Sequence, residues 1–130
     1  MRIYVSHPIR GKNGDAATEE EKQANCEAAI KWADLLRMNL GLRATQGGGL
    51  YLGGHWLTHR DWIYVPAEHE EFIGRAYGKG YLTEEQILDI DCEILKECDL
   101  LVVLGEPSTG MRVEIGHAKS LNIPIHYDDI

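Results

Sequence analysis

With 130 residues, 13 Lys and Arg against 21 Asp and Glu, and a formal net charge of −8, the chain is long enough for one domain. It is too acidic to neutralise the several phosphates a duplex nucleic acid presents. A 44% hydrophobic content fills one core without staples, and Cys26, Cys92 and Cys98, odd in number and without CxxC spacing, exclude a disulfide framework and a zinc knuckle. The cysteines read as thiols of a reducing cytoplasm. The N-terminus turns polar after five residues, and no run nears the ~20 apolar residues of a membrane span, so a cytoplasmic protein with no membrane partner is expected.

In chain order, Arg2-Ile3-Tyr4-Val5-Ser6 predicts a buried first strand that stops at His7-Pro8, where proline cannot donate a ladder hydrogen bond. After a polar loop from Arg10 to Asp15, Thr18-Glu19-Glu20-Glu21 offers a helix start. Cys26, Ala29, Ile30, Ala33, Leu36 and Leu40 then recur at helical spacing, predicting a helix that ends near Gly41. Residues 44–54, with Gly47-Gly48-Gly49 and Gly53-Gly54 around Leu50-Tyr51-Leu52, read as a mobile loop. Asp61 to Val65 has strand propensity, and an acidic run follows before Gly74, Gly78 and Gly80 break the pattern. Residues 44–80 thus read as a Gly-rich variable segment within a single domain spanning 1–130.

Thr83-Glu84-Glu85-Gln86 is a second capping box, and Ile87, Ile90, Ile94, Leu95 and Cys98 give a one-faced helix with Asp91 beside that face. Leu100 to Leu104 is apolar throughout, as a central strand of a parallel sheet requires. A turn at Pro107-Ser108-Thr109-Gly110 leads into a helix from Met111 to Leu121, and Ile123 to Tyr127 closes as a last strand. Alternating strands and helices predict an α/β, doubly wound, Rossmann-like or flavodoxin-like parallel sheet flanked by helices.

Ligands of such sheets bind beyond the carboxyl ends of the strands, which places the loops after the first and central strands on one crevice. Arg10 offers a guanidinium fork beside Gly11, while Ser108, Thr109 and Gly110 stand where free N–H groups attract an anion. Together they form a candidate phosphate clamp, with a solvated Arg10 and a plain helix cap as the alternative. Glu114 is expected in about the first turn of the last helix, where an acid often only offsets the helix dipole. With Asp91 in the same crevice, two carboxylates can divide the roles of nucleophile and acid. His55 and His59 have a metal spacing if helical, yet lie beside Gly53-Gly54 without a companion carboxylate, which reads against zinc. The absence of GxGxxG and Walker A loops reads against dinucleotides and P-loop chemistry.

Ile3-Tyr4-Val5, Pro8-Ile9-Arg10-Gly11, Asp91, Asp99 and the run Ser108-Thr109-Gly110-Met111-Arg112-Val113-Glu114-Ile115-Gly116-His117-Ala118 resemble the nucleoside 2-deoxyribosyltransferase superfamily, including its 2′-deoxynucleoside 5′-phosphate N-hydrolases. The likeness covers the first eleven residues and roughly the last forty. It implies Glu114 as the nucleophile at C1′ of the sugar, Asp91, eight residues before Asp99, as the group handling the leaving base, and Tyr4 as a positioning residue. It also implies that Pro8, Ile9, Arg10, Gly11, Ser108, Thr109, Gly110 and Met111 hold the substrate.

Six residues before the nucleophile, the transferases tend to carry aspartate and the monophosphate hydrolases serine; here it is Ser108. A nucleoside 5′-monophosphate is therefore the preferred substrate class over a nucleoside, and hydrolysis of the N-glycosidic bond the preferred reaction. Pro8 matches the transferases, which keeps base exchange open. A nucleotide-binding module without turnover, and a structural protein whose Glu114 is only a helix-start acid, are the other readings. The chemistry calls for no cofactor and no metal, and the resemblance implies a homodimer or larger homo-oligomer. Tyr51, Trp56 or Trp62 would stack on the base if the middle segment forms a lid.

Overall fold

The computed structural model describes residues 1–9 and 16–129. Four strands, β1 (Arg2–Ser6), β4 (Trp62–Tyr64), β5 (Leu100–Leu104) and β6 (Ile125–Asp128), form a wholly parallel sheet in the order β4-β1-β5-β6. The chain runs from β1 outward to β4, then crosses to β5 on the other side, so the topological switch lies between β1 and β5. This is the expected α/β fold in its flavodoxin-like order.

Strand alternation divides the core in two. Ile3, Val5, Leu100, Val102 and Leu104 face helix α1 (Glu19–Ala44), which buries Ala29, Ala33, Leu36 and Leu40 against them. Tyr4, Leu101 and Val103 face the opposite side, covered by Leu95 of α3 (Glu84–Lys96) and by Met111, Ile115 and Ala118 of α4 (Thr109–Ser120). The helix starts follow their sequence signals: Thr18, Thr83 and Ser108 are N-caps whose side chains accept backbone N–H groups, and Thr83 with Gln86 closes a full capping box. No helix among the described residues is long and apolar enough to cross a membrane.

The middle of the chain departs from expectation. Residues 44–54 are not a loop throughout: α1 runs past Gly41 to Ala44, and β2 (Leu50–Leu52) pairs antiparallel with β3 (His55–Leu57). The glycines that argued against an element build this one. Gly53 and Gly54, with φ of 57° and 80°, make the two-residue turn whose positive φ glycine adopts freely. At Gly49 a Cβ would lie 2.2 Å from the Leu57 carbonyl oxygen, so only glycine lets the two backbones approach. Leu57 anchors the hairpin in the α1-side core. Likewise the pattern read as broken at Gly74 and Gly78 is a 3₁₀ turn, Pro66–His69, followed by α2 (Glu70–Gly78). His55 lies on β3 and His59 in the following turn, so their spacing is not helical.

Candidate active site

A cleft of about 480 Å³ opens at the carboxyl ends of β1 and β4 and beside the loop after β5, at the topological switch. His7, Ile9 and Pro66 form its floor, and Ser108, Thr109, Gly110, Met111, Val113 and Glu114 its α4 side. The remaining walls come from two helices with one spacing. Glu70, Ile73, Gly74 and Tyr77 of α2 and Glu84, Ile87, Leu88 and Asp91 of α3 each fall at i, i+3, i+4 and i+7, one face of a helix turned toward the cleft. The α2 wall was not foreseen. Its signal, an apolar stripe interrupted by glycine, is weak because α2 buries none of its residues and leaves Phe72 78% exposed.

The two carboxylates expected to share the crevice do so. Glu114 is 6% exposed and Asp91 8%, on α4 and α3 respectively. Glu114 is the sixth residue of α4 and lies in its second turn, so it is not an exposed first-turn acid offsetting the dipole. Its Oε1 accepts a buried 3.0 Å hydrogen bond from the Ser6 hydroxyl. Burial pushes the Glu114 carboxyl up to about 7; the Tyr4 hydroxyl pulls it back, the Asp91 charge adds to the rise, and Ser6 again favours the carboxylate. Burial likewise pushes Asp91 up to about 6, against the pull of the Tyr64 hydroxyl, with Glu70 adding to the rise. That Tyr64 O–H reaches Asp91 Oδ1 at 3.5 Å, the long end of hydrogen bonding, and its ring stacks on His69 with centroids 5.3 Å apart.

Tyr4 packs beneath both acids. Its ring lies 5.3 Å from that of Tyr64. Burial first, then the Glu114 and Asp91 charges, hold its phenol well above the usual range, so it stays neutral. Its buried hydroxyl has no hydrogen-bond partner of ordinary geometry among the described residues.

Of the expected substrate-holding residues, Ile9, Ser108, Thr109, Gly110 and Met111 line the cleft, and Pro8 does not. Arg10 and Gly11 lie outside the described residues, as does the loop expected from Arg10 to Asp15. Ser108 is both cap and cleft residue: its Oγ accepts from Met111 N–H at 3.4 Å, which leaves its own proton to donate. The Pro8 carbonyl instead serves His7. The Ala67 N–H donates to His7 Nε2 at 3.0 Å, which puts the ring proton on Nδ1 and toward Pro8 O at 3.2 Å. Burial holds the His7 pKa below its ordinary value, as this neutral form requires. A forked Arg37–Glu68 pair, at 2.7 and 2.9 Å, grips the same turn from α1, with a further bond to the Ile63 carbonyl. These ties fix the turn from which α2 starts.

Tyr51, Trp56 and Trp62, the candidates for stacking on a base, do not line the cleft. Trp62 opens β4 beside Arg2, at the amino ends of the strands and away from the cleft. Among the described residues no group of three or more His, Cys, Asp or Glu side chains could hold a metal ion.

Compared with known proteins, residues 82–128, which carry α3, β5, α4 and β6, match the model of a family described as a domain of unknown function (DUF7768). No curated protein and no solved structure matches the chain. The similarity to DUF7768 thus spans Asp91, Ser108 and Glu114 but leaves out β1, α1 and the α2 wall.

Proposed function

We propose that the chain cleaves the N-glycosidic bond of a nucleoside 5′-monophosphate, ribo or 2-deoxyribo, with Glu114 as nucleophile and Asp91 as acid and base. The observation that carries this reading is the pair of buried carboxyls, both raised toward neutrality, in one cleft at the sheet's switch point. The resemblance of the Tyr4, Asp91 and Ser108 to Ala118 segments to the nucleoside 2-deoxyribosyltransferase superfamily supports it from the sequence.

The chemistry balances with one proton on the pair. A Glu114 carboxylate oxygen attacks C1′ while the C1′–N bond breaks through an oxocarbenium-like transition state, and the departing base takes the proton from Asp91. The ionised Asp91 then accepts a proton from water, whose oxygen displaces Glu114 from C1′ and releases the sugar phosphate. Because the two groups interact, their titrations belong to the pair. Between about pH 6 and 7 a singly protonated pair dominates, and the positive charge developing at the sugar draws the ionised state to Glu114. Ser108 and the first N–H groups of α4 would donate to the 5′-phosphate, and the apolar Ile73, Ile87 and Leu88 of the cleft wall suit the faces of a base.

The test is base release, followed by chromatography, from ribo- and deoxyribonucleosides and their 5′-monophosphates, with and without an acceptor base, beside Glu114→Gln. Release from monophosphates alone, maximal near pH 6 to 7 and lost in the variant, is expected. Exchange only with an acceptor would replace hydrolysis by base transfer. Nucleotide binding without release from any substrate would replace the enzyme by a binding module.

A further inference from the structure

Ser6 stands where the strand pattern calls for an apolar residue. It ends β1, is 1% exposed, and by alternation shares the side of the sheet on which Tyr4, Leu101 and Val103 build a core. A hydroxyl so buried requires a partner, and its partner is Glu114, 108 residues further along the chain. We propose that Ser6 is the positioning residue of Glu114: its O–H holds Oε1, so that Oε2 is the oxygen left to react, and it favours the ionised carboxylate that attack needs. This inference rests on Glu114 being the nucleophile.

The surroundings make that bond count. The titratable groups that act on Glu114 or feel its charge are Tyr4 on β1, Tyr64 on β4, and Asp91 and Cys92 on α3. None of them carries a positive charge to offset a buried carboxylate. Asp91 opposes ionisation when charged, and the Tyr4 hydroxyl makes no bond of ordinary geometry. Ser6 makes the hydrogen bond of ordinary geometry to the Glu114 carboxyl, and the Tyr4 hydroxyl also favours its ionised form. Without the Ser6 bond, burial and the Asp91 charge act on Glu114 with less opposition, and the carboxyl keeps its proton to higher pH.

The experiment compares wild type with Ser6→Ala, which removes one oxygen, and Ser6→Cys, whose S–H is a weaker donor of similar shape. The first readout is the carboxyl titration of Glu114 in protein labelled with carbon-13 at glutamate side-chain carboxyls, its resonance identified by its loss in Glu114→Gln. The second is the pH profile of base release. In Ser6→Ala the Glu114 midpoint is expected to rise by about one pH unit, with Ser6→Cys between the two. The alkaline limb of kcat, which follows the higher of the two carboxyls, should move up by the same amount. Starting from about 7, that lowers kcat at pH 7 about fivefold; the deficit closes toward pH 9, where both proteins are slow because Asp91 has lost its proton, and KM is left nearly unchanged.

An unmoved midpoint in both variants, or a loss of rate equal at every pH, would assign Ser6 to packing and overturn the proposal. If no base is released but the midpoint moves, the reading of Glu114 as nucleophile fails while the Ser6 coupling stands. If base is released but the midpoint stays, the coupling fails alone.

Discussion

The two faces of one sheet are built from the same strands and do opposite things. On the α1 side, Ile3, Val5, Leu100, Val102 and Leu104 meet Ala29, Ala33, Leu36 and Leu40 in an apolar core. On the α3 and α4 side, the alternate residues of the same strands bring Tyr4 and Ser6 under Asp91 and Glu114, so that hydroxyls and acids are buried where apolar groups would be more stable. Both faces bury apolar side chains, and the α3 and α4 face in addition holds two carboxyls raised above their ordinary values. The buried acids are thus separated from the α1-side core by a shift of one residue along β1.

The sharpest way to break that separation is Glu114→Gln. Base release is expected to fall at least about a thousandfold, as for removal of a nucleophile. The same change should stabilise the fold above neutrality. The Glu114 and Asp91 carboxyls have higher pKa values folded than unfolded, so the folded chain binds more protons from about pH 4 to about 7, and stability falls as pH rises across that window. Moving Glu114 from 4.5 to about 7 corresponds to a cost on the order of 3 kcal/mol at pH 8, most of which a neutral amide avoids. Denaturant melts at pH 5 and pH 8 check the sign: a gain of about 2 kcal/mol in the variant is expected at pH 8 and little at pH 5. A loss of stability at both would mean that Glu114 is a structural acid.

The α1 face should answer the other way. Leu40→Ala removes a fully buried side chain and is expected to cost about 3 kcal/mol at either pH, with the pH profile of base release in the folded protein unchanged. A shift of that profile would show that the two faces are coupled through the strands.

The apolar face was legible in the sequence because its signals are periodic: α1 repeats its buried residues at helical spacing, and β5 is apolar from end to end. The acids of the polar face were legible too, Glu114 and Asp91 through their place around β5. What escaped was whatever depends on the partner across space. Ser6 reads as a polar strand end until Glu114 arrives over it from a helix more than a hundred residues away. The α2 wall reads as a glycine-broken stretch because its apolar side faces a cleft rather than a core, so neither burial nor propensity marks it. The β2–β3 hairpin was hidden by glycines whose role is to permit the turn and the close backbone approach.

The smallest expected effect lies where the two roles meet in one side chain. Ser108 caps α4 as Thr83 caps α3, and both hydroxyls accept a backbone N–H from the residue three further on. Thr83→Ala and Ser108→Ala should each cost about 1 kcal/mol of stability, since each leaves a helix start without its side-chain acceptor. Only Ser108 also lines the cleft. Ser108→Ala should therefore raise KM for a nucleoside 5′-monophosphate severalfold while leaving KM for the matching nucleoside in place, and Thr83→Ala should alter neither. Ser108→Asp separates the roles further: aspartate is as good a cap as serine, so stability is kept, but its charge repels a phosphate dianion and turns preference toward the nucleoside. Equal KM shifts for both substrates in Ser108→Asp would reduce Ser108 to a cap and remove the phosphate from the proposed substrate, leaving the carboxylate pair to act on a nucleoside.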